Sequence, residues 1–194
     1  MEQFLDTSAQ LPDACDLLPI KIWDGLHPSC LPADEIARQC ELRTQRRSGP
    51  GGQHRNKTSS GVFLFHAPTG VVAEATERRS QSENRKIALA RMLLKLAVEI
   101  RTISPIAGSI DLVEREIRNH LQKREMRVAR HSTDYPALCA LLLNDLYFTG
   151  GQPSLVGQYW QAGSSGLVRF LKSHPPAILF VNEIRGHHGR LPLR

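Results

Sequence analysis

The chain has 194 residues, of which 41% are hydrophobic and 23% are charged, and this composition is typical of a globular protein with one ordinary domain or two small ones. The net charge of +6 and the pI of about 9.5 favour a polyanionic partner. The sequence shows neither the basic lead and apolar run of a secretory signal nor an apolar run long enough to cross a bilayer, so we expect a cytoplasmic protein without membrane contact.

The charge is unevenly distributed along the chain. Residues 1–42 contain two Lys/Arg and eight Asp/Glu, for a net charge of −6. Residues 43–91 contain ten Lys/Arg and three Asp/Glu, for a net charge of +7, and residues 92–194 contain thirteen and eight, for +5. The basic segment is therefore the place to look for contacts with a polyanion, although such a cluster also fits a solvated face.

Neither the cysteines nor the histidines have the spacing of a metal site. The four cysteines include no CxxC pair, and four cysteines in a chain of this length do not make a disulfide scaffold, so we expect free thiols. Adjacent side chains such as His187 and His188 diverge on regular structure. The sequence predicts no metal and no cofactor.

The first half of the chain predicts a small sheet and a helix. After a poorly structured lead with one short extended piece, residues 31–40 predict a short helix and residues 41–47 a strand. Residues 59–76 predict two strands joined by a turn at Pro68-Thr69-Gly70. A serine-capped helix follows, with apolar residues at helical spacing over residues 80–103.

The second half of the chain predicts helices only. Residues 109–131 are dense in charges of both signs and predict a linker or surface helix, and residues 135–148 predict a more apolar helix that ends at Gly150-Gly151. Residues 153–185 predict two or three short helices broken at Gly163 and at Pro175-Pro176, a pattern similar to a weak helix-turn-helix.

The predicted fold class is therefore α+β: a small mixed β-sheet with a packed helix and an exposed loop, followed by an α-helical C-terminal region. We expect a poorly structured lead over residues 1–30, a domain over residues 31–104 that contains the basic segment, and a helical region similar to a helix-turn-helix over residues 105–194.

One glycine-rich stretch stands out within the basic segment. Residues 46–61 read RRSGPGGQHRNKTSSG, with three glycines and a proline in the four positions 49–52. Such a run destabilises a helix or strand, and glycine allows a backbone to come close to a ligand. Gly-Gly-Gln recurs at residues 150–152 without basic neighbours, where we interpret it as a helix stop.

The flanks of this stretch resemble the catalytic domain of class I peptide chain release factors. The resemblance covers about residues 41–96, well under half the chain, and rests on several motifs in a fixed order. These are Gly-Pro-Gly-Gly-Gln at residues 49–53, His54, Asn56-Lys57-Thr58, Pro68-Thr69-Gly70, Glu77-Arg78-Ser80-Gln81 and Asn84-Arg85.

The resemblance implies hydrolysis of the ester that joins a peptide to the 3′ adenosine of tRNA in the ribosomal peptidyl transferase centre. It implies catalytic roles for Gly51, Gly52 and Gln53, with the backbone N–H of Gln53 donating to the developing oxyanion and its side chain shaping a water-sized pocket. The expected partners are large-subunit rRNA and peptidyl-tRNA, contacted by a monomer through the phosphates. The candidate RNA-binding residues are Arg46, Arg47, Arg55, Lys57, Arg78, Arg79, Arg85 and Lys86. A methyltransferase that modifies Gln53, as in relatives, is a further candidate partner.

The chain also departs from the family pattern. Arg55 stands where the family usually has an apolar residue, and Gly61 and Phe63 replace the more common Ala and Arg. About forty residues precede the motif and carry no tripeptide codon reader, so we expect codon-independent release, with rescue of stalled ribosomes as its purpose. A split decoding factor with a codon-reading partner and a non-catalytic ribosome- or RNA-binding module are the alternatives.

Overall fold

The structure is a computed structural model that describes residues 11–45 and 60–194. Within these ranges the chain forms five strands and seven α-helices, together with 3-10 turns at Ala14–Asp16 and Pro28–Cys30. The strands are β1 (Ile22–Trp23), β2 (Cys40–Gln45), β3 (Gly61–His66), β4 (Val72–Ala75) and β5 (Arg101–Thr102). The helices are α1 (Ala33–Gln39), α2 (Gln81–Glu99), α3 (Leu112–Gln122), α4 (Tyr135–Phe148), α5 (Pro153–Tyr159), α6 (Ser164–Lys172) and α7 (Pro175–His187).

Strands β2, β3 and β4 form an antiparallel sheet in chain order. In β3 the alternate residues Val62, Leu64 and His66 are buried, which is the period-two pattern of a sheet with one covered face. Helix α2 covers that face and buries Ala88, Met92 and Leu96 in the same core. Ser80 caps the helix by accepting a hydrogen bond from Glu83 N–H, as the sequence predicts.

A second, two-stranded sheet pairs β1 with β5 in parallel, so that Ile22 lies opposite Arg101. Parallel and antiparallel pairings thus both occur, and helices dominate the second half of the chain. The predicted α+β class, with a small mixed sheet, a packed helix and a helical C-terminal region, is confirmed.

Helix α4 is the centre of the helical region, because every residue from Tyr135 to Phe148 is buried. A helix that is apolar on all sides has to be surrounded, and here it packs against α2, α5 and α7. The short helices predicted between residues 153 and 185 are confirmed as α5, α6 and α7, with breaks at Gly163 and before Pro175.

Helix α3 corrects one expectation, because the predicted helix over residues 109–131 covers only Leu112–Gln122. Glu125 and Met126 have positive φ angles of 48° and 60°, which end regular helix. Most of α3 is exposed, as expected of a surface helix, but two of its charged residues, Glu114 and Arg118, are buried. Sequence alone gives their charge but not the buried partner that stabilises it.

Part of the segment before α1 packs against the rest of the protein. Leu17, Leu18 and Ile20 pack on a small cluster that includes Phe148, and Tyr147 OH donates to Leu18 O at 2.7 Å. Residues 1–10 lie outside the described ranges. The three predicted domain ranges stay a prediction, and α2 and α4 pack together across the predicted boundary at residue 104.

The helices in the described part of the chain include none that is long and apolar enough to span a membrane. Cys15, Cys30, Cys40 and Cys139 are free thiols. Burial raises the pKa of Cys139 to about 12, so this thiol stays protonated and inert.

Candidate functional site

The Gly-Gly-Gln stretch connects the two ends of a paired hairpin. Gln45 at the end of β2 lies opposite Gly61 at the start of β3, and residues 46–59 run between them. These residues are outside the described ranges. They include the predicted catalytic and RNA-binding residues Arg46, Arg47, Gly51, Gly52, Gln53, Arg55 and Lys57. The structure therefore describes the two strand ends on either side of the candidate site, which we call the hairpin base.

The side chain of Asn84 joins three segments at this base. Its Nδ2 donates to Ser60 O at 2.6 Å and to Arg78 O at 2.9 Å, while its Oδ1 accepts from Arg78 N–H at 2.9 Å. Asn84 is fully buried near the start of α2. One amide thus connects Ser60, which follows the 46–59 segment, with the β4–α2 turn and the start of the helix.

Gly61 occupies a position with little room for a side chain. A Cβ built there would lie 3.1 Å from Gln45 O and 3.3 Å from the Thr76 Cγ2 methyl group. The glycine that replaces the more common family alanine therefore allows β2 and β3 to close tightly where residues 46–59 begin and end.

Four of the predicted RNA-binding residues lie within the described ranges and close to this base in the chain. Arg78 and Arg79 are on the turn between β4 and α2, and Arg85 and Lys86 are in the first two turns of α2. All four side chains are exposed, and none forms an ion pair with another described residue. Their charges are therefore available to a polyanion that approaches the hairpin base. Their RNA-binding role stays a prediction.

Two further cations of α2 have structural partners instead. Arg91 donates to Glu74 O at 2.8 Å and forms a very short ion pair with Glu77, and Lys95 donates to Val72 O at 2.7 Å. The hydrogen bond from Arg91 is the main cause of the lowered pKa of the Glu77 carboxyl. Sequence reasoning missed this role of Glu77, because a helix–strand contact leaves no short-range spacing signal.

His66 fixes the far end of the same sheet. Its Nδ1 lies 2.7 Å from Thr69 Oγ1, and its Nε2 lies 2.9 Å from Gln39 Oε1. Burial lowers the pKa of His66, so the ring is neutral at pH 7. The predicted turn at residues 68–70 is thereby confirmed, with Gly70 at a φ of +78°.

A family model for the RF-1 domain matches residues 35–132, which include the hairpin, the Asn84 contacts, α2 and α3. The chain belongs to this family. The match extends beyond the resemblance that the motifs carry, and its last third reaches into the helical region. Arg118, inside the matched range, pairs with Asp145 outside it, at 2.8 Å, so the RF-1 domain and the following helices share one packed interior.

Proteins named peptide chain release factor 1 are similar to the RF-1 domain of this chain. The protein from Ureaplasma parvum serovar 3 is 49% identical over 65 residues, which are 32% of this chain and 18% of that relative. The proteins from Leptothrix cholodnii and Nitrosomonas europaea are each 47% identical over 72 and 70 residues, which are 36% and 33% of this chain and 20% of each relative. The chain thus spans about a fifth of the length of these relatives.

The second Gly-Gly-Gln ends helix α4, as the sequence predicts. Gly150 and Gly151 have φ angles of +61° and +72°, a conformation that glycine adopts readily, and Gly151 N–H donates to Leu146 O at 2.7 Å. Gln152 donates from Nε2 to Thr149 O at 2.9 Å and precedes α5. This copy is a helix stop, outside the residues that the RF-1 model matches.

Proposed function

We propose that this protein is a ribosome-dependent peptidyl-tRNA hydrolase that releases peptides without reading a codon, and that it acts on stalled ribosomes. The observation that carries the proposal is an intact Gly51-Gly52-Gln53 within the family match, flanked by the paired strands β2 and β3. Two consecutive glycines raise the conformational entropy that the chain loses on folding. A non-catalytic RNA-binding module would gain nothing from keeping them, so their presence weighs against that alternative.

The proposed chemistry is the stabilisation of an oxyanion. Water attacks the ester carbonyl of peptidyl-tRNA, and the backbone N–H of Gln53 donates a hydrogen bond to the oxygen that becomes negatively charged. Gly51 and Gly52 set the backbone so that this N–H faces the ester, and the Gln53 side chain limits the pocket to water. RNA supplies the remaining positioning of the tRNA end, so the protein needs no general base.

The described residues support this role through rigidity at the base of the segment. Asn84 donates to Ser60 O and Arg78 O and accepts from Arg78 N–H, which fixes Ser60 against the β4–α2 turn. The base is bordered by the exposed cations Arg78, Arg79, Arg85 and Lys86. A donor acts in catalysis only if it is positioned before the transition state forms. If these cations contact RNA phosphates, the contacts would set the orientation in which the whole domain binds.

Codon-independent release is proposed for the 194 residues as a unit, because they contain no tripeptide codon-reading motif. The alternative is a split decoding factor whose reader belongs to another chain. The two differ in their substrate: a rescue factor needs an empty decoding site, and a split factor needs a stop codon together with its partner.

The test is release of labelled peptide from ribosomes with an empty A site, with a stop codon in the A site, or with truncated mRNA. We expect release on the empty and truncated complexes. Release only with a stop codon and an added partner would favour the split factor, and binding without release on any complex would contradict hydrolysis.

Variants at Gln53 separate its backbone from its side chain. Gln53→Pro removes the N–H and should slow release by at least about 10²–10³-fold. Gln53→Ala keeps the N–H, so it should retain more activity but admit nucleophiles larger than water, such as added hydroxylamine. Gln158→Ala, on the exposed side of α5, is the matched control and should release at the wild-type rate. Equal rates for the proline and alanine variants would contradict the backbone role.

A further inference from the structure

The last helices concentrate their positive charge on one surface. Residues 149–194 contain five Lys/Arg and one Asp/Glu. All five cations line a single open groove of about 760 Å³ between α6, α7 and the C-terminal residues, whereas the single acid, Glu183, lines a different surface depression beside Trp23. The cations of this groove are Arg169, Lys172, Arg185, Arg190 and Arg194.

No carboxylate among the described residues neutralises these cations. Arg169, Lys172 and Arg194 are exposed and form no ion pair within the described part of the chain. Arg185 donates to the backbone oxygens of Gly151 and Leu191, and Arg190 donates to Gly150 O at 3.1 Å, so both guanidinium groups are oriented without losing their charge. Partial burial, and then repulsion from Arg190, lower the pKa of Arg185.

The rest of the lining fits a phosphate backbone better than a protein partner. Ser154, Ser164 and Ser165 add hydroxyl donors, and the only apolar side chains in the lining are Pro153, Val168 and Leu193. A stable protein interface has a core enriched in aromatic residues, and none lines this groove within the described ranges. The absence of a stacking platform also favours contact with phosphates over contact with bases.

We propose that this groove binds the phosphate backbone of structured RNA, independently of base sequence, and that it is a second RNA-contacting surface besides the RF-1 hairpin. In its natural setting this RNA is ribosomal, and that part of the inference rests on the proposed function. The groove belongs to helices outside the range that the RF-1 family model matches, so these helices supply affinity while the glycine-rich segment supplies chemistry.

The test measures affinity for RNA directly, without release. The full chain is titrated into a labelled RNA hairpin of about 20 base pairs, and into large ribosomal subunits, at several salt concentrations. For Arg169→Gln/Lys172→Gln we expect roughly 10- to 50-fold weaker binding near 0.1 M salt and a slope of log K against log salt that is smaller by about 1.4–1.8. Both side chains are exposed, so the melting temperature should stay near that of the wild type.

The charge-matched control is Arg115→Gln/Lys123→Gln, which removes two exposed cations on and just after α3. Equal losses in the groove variant and the control would overturn the proposal, as would wild-type binding that salt does not weaken. Displacement of the RNA hairpin by polyglutamate at equal charge concentration would point to an acidic protein and also overturn it.

The two proposals fail in different ways. Wild-type protein that binds RNA through the groove but releases no peptide from any ribosomal complex would leave the groove standing and contradict the hydrolase. Normal release together with unchanged RNA affinity in the groove variant would contradict the groove alone.

Discussion

Trp160 donates its indole N–H to Asp145 at 2.6 Å, and both residues are buried. Asp145 also accepts two hydrogen bonds from Arg118 and one from Ser104 at 2.7 Å. This carboxylate therefore joins α3, α4, the end of α5 and the segment after β5. Since Arg118 belongs to the RF-1 range and Trp160 to the helices after it, Asp145 connects the two parts energetically.

Removal of the negative charge of Asp145 should destabilise the fold. Among the described residues, Asp145→Asn leaves the buried Arg118 with Glu114 as its one acidic partner, at 2.8 Å. We expect a loss of about 3–5 kcal/mol in the free energy of unfolding. Urea denaturation measures it. The control is Asp34→Asn, which breaks the exposed pair with Arg38 and should cost less than about 1 kcal/mol. Similar losses in both variants would contradict the structural role of Asp145.

Acid should destabilise the fold through His27. Its Nδ1 accepts from Ser29 N–H at 3.0 Å, so its Nε2 carries the proton and donates to Ile100 O at 3.0 Å. Burial, followed by repulsion from Arg101, lowers the pKa of His27 from 6.5 to about 3. The unfolded chain thus binds the proton more readily than the folded one below pH 6.5. The stability that neutral His27 contributes is complete above pH 6.5 and is lost as the pH falls from there toward 3.

The size of this loss is about 1.4 kcal/mol per pH unit for one proton. We expect His27→Gln to be less stable than the wild type at pH 7.5, with a stability that falls less steeply between pH 6.5 and 4.5. The difference in slope should correspond to about one proton. His131→Gln, on the exposed surface before α4, is the matched control and should keep the wild-type slope. Parallel pH profiles for His27→Gln and the wild type would rule out this assignment.

Asn84 should matter for the reaction as well as for the fold. Asn84→Ala removes three hydrogen bonds at the base of the 46–59 segment and leaves groups of Ser60 and Arg78 without this partner. We expect a loss of about 2–3 kcal/mol in unfolding free energy. Peptide release should slow by about 10- to 100-fold at a temperature where the variant is folded, because the donor is less well positioned. Asn119→Ala, an exposed asparagine on α3, is the control. Release at the wild-type rate by folded Asn84→Ala would separate this contact from catalysis.

Local signals predicted most elements of the fold. The sequence predicts features that depend on residues within a few positions of each other. These are the helix cap at Ser80, the turn at residues 68–70 and the breaks at Gly163 and Pro175. Contacts between residues far apart in the chain cannot be predicted in this way. Helix α3 shows the limit: Glu114 and Arg118 look like surface charges until Asp145, far along the chain, is seen beside them.

The candidate site shows the same division. The motifs around residues 49–57 are visible in the sequence, whereas the contacts of Asn84 with Ser60 and Arg78 appear only in the folded structure. The groove formed by Arg169, Lys172 and Arg185 was not visible, because its cations are spread over 26 residues from Arg169 to Arg194. They meet only when α6 and α7 pack side by side.

The two Gly-Gly-Gln copies should respond in opposite ways to the same substitution. Gly151 has a φ of +72°, and a Cβ there would lie 2.5 Å from Arg185 Cγ, so Gly151→Ala should lower the free energy of unfolding by about 1–3 kcal/mol. Where the protein is folded and saturates the ribosomes, it should leave the rate of peptide release unchanged. Gly52→Ala should instead slow release by at least about 10²–10³-fold. Gly186→Ala is the common control, since a Cβ there meets nothing within 4 Å. Loss of release in folded Gly151→Ala would contradict the assignment of this copy as a helix stop, and full release by Gly52→Ala would contradict the assignment of the other copy as the reactive one.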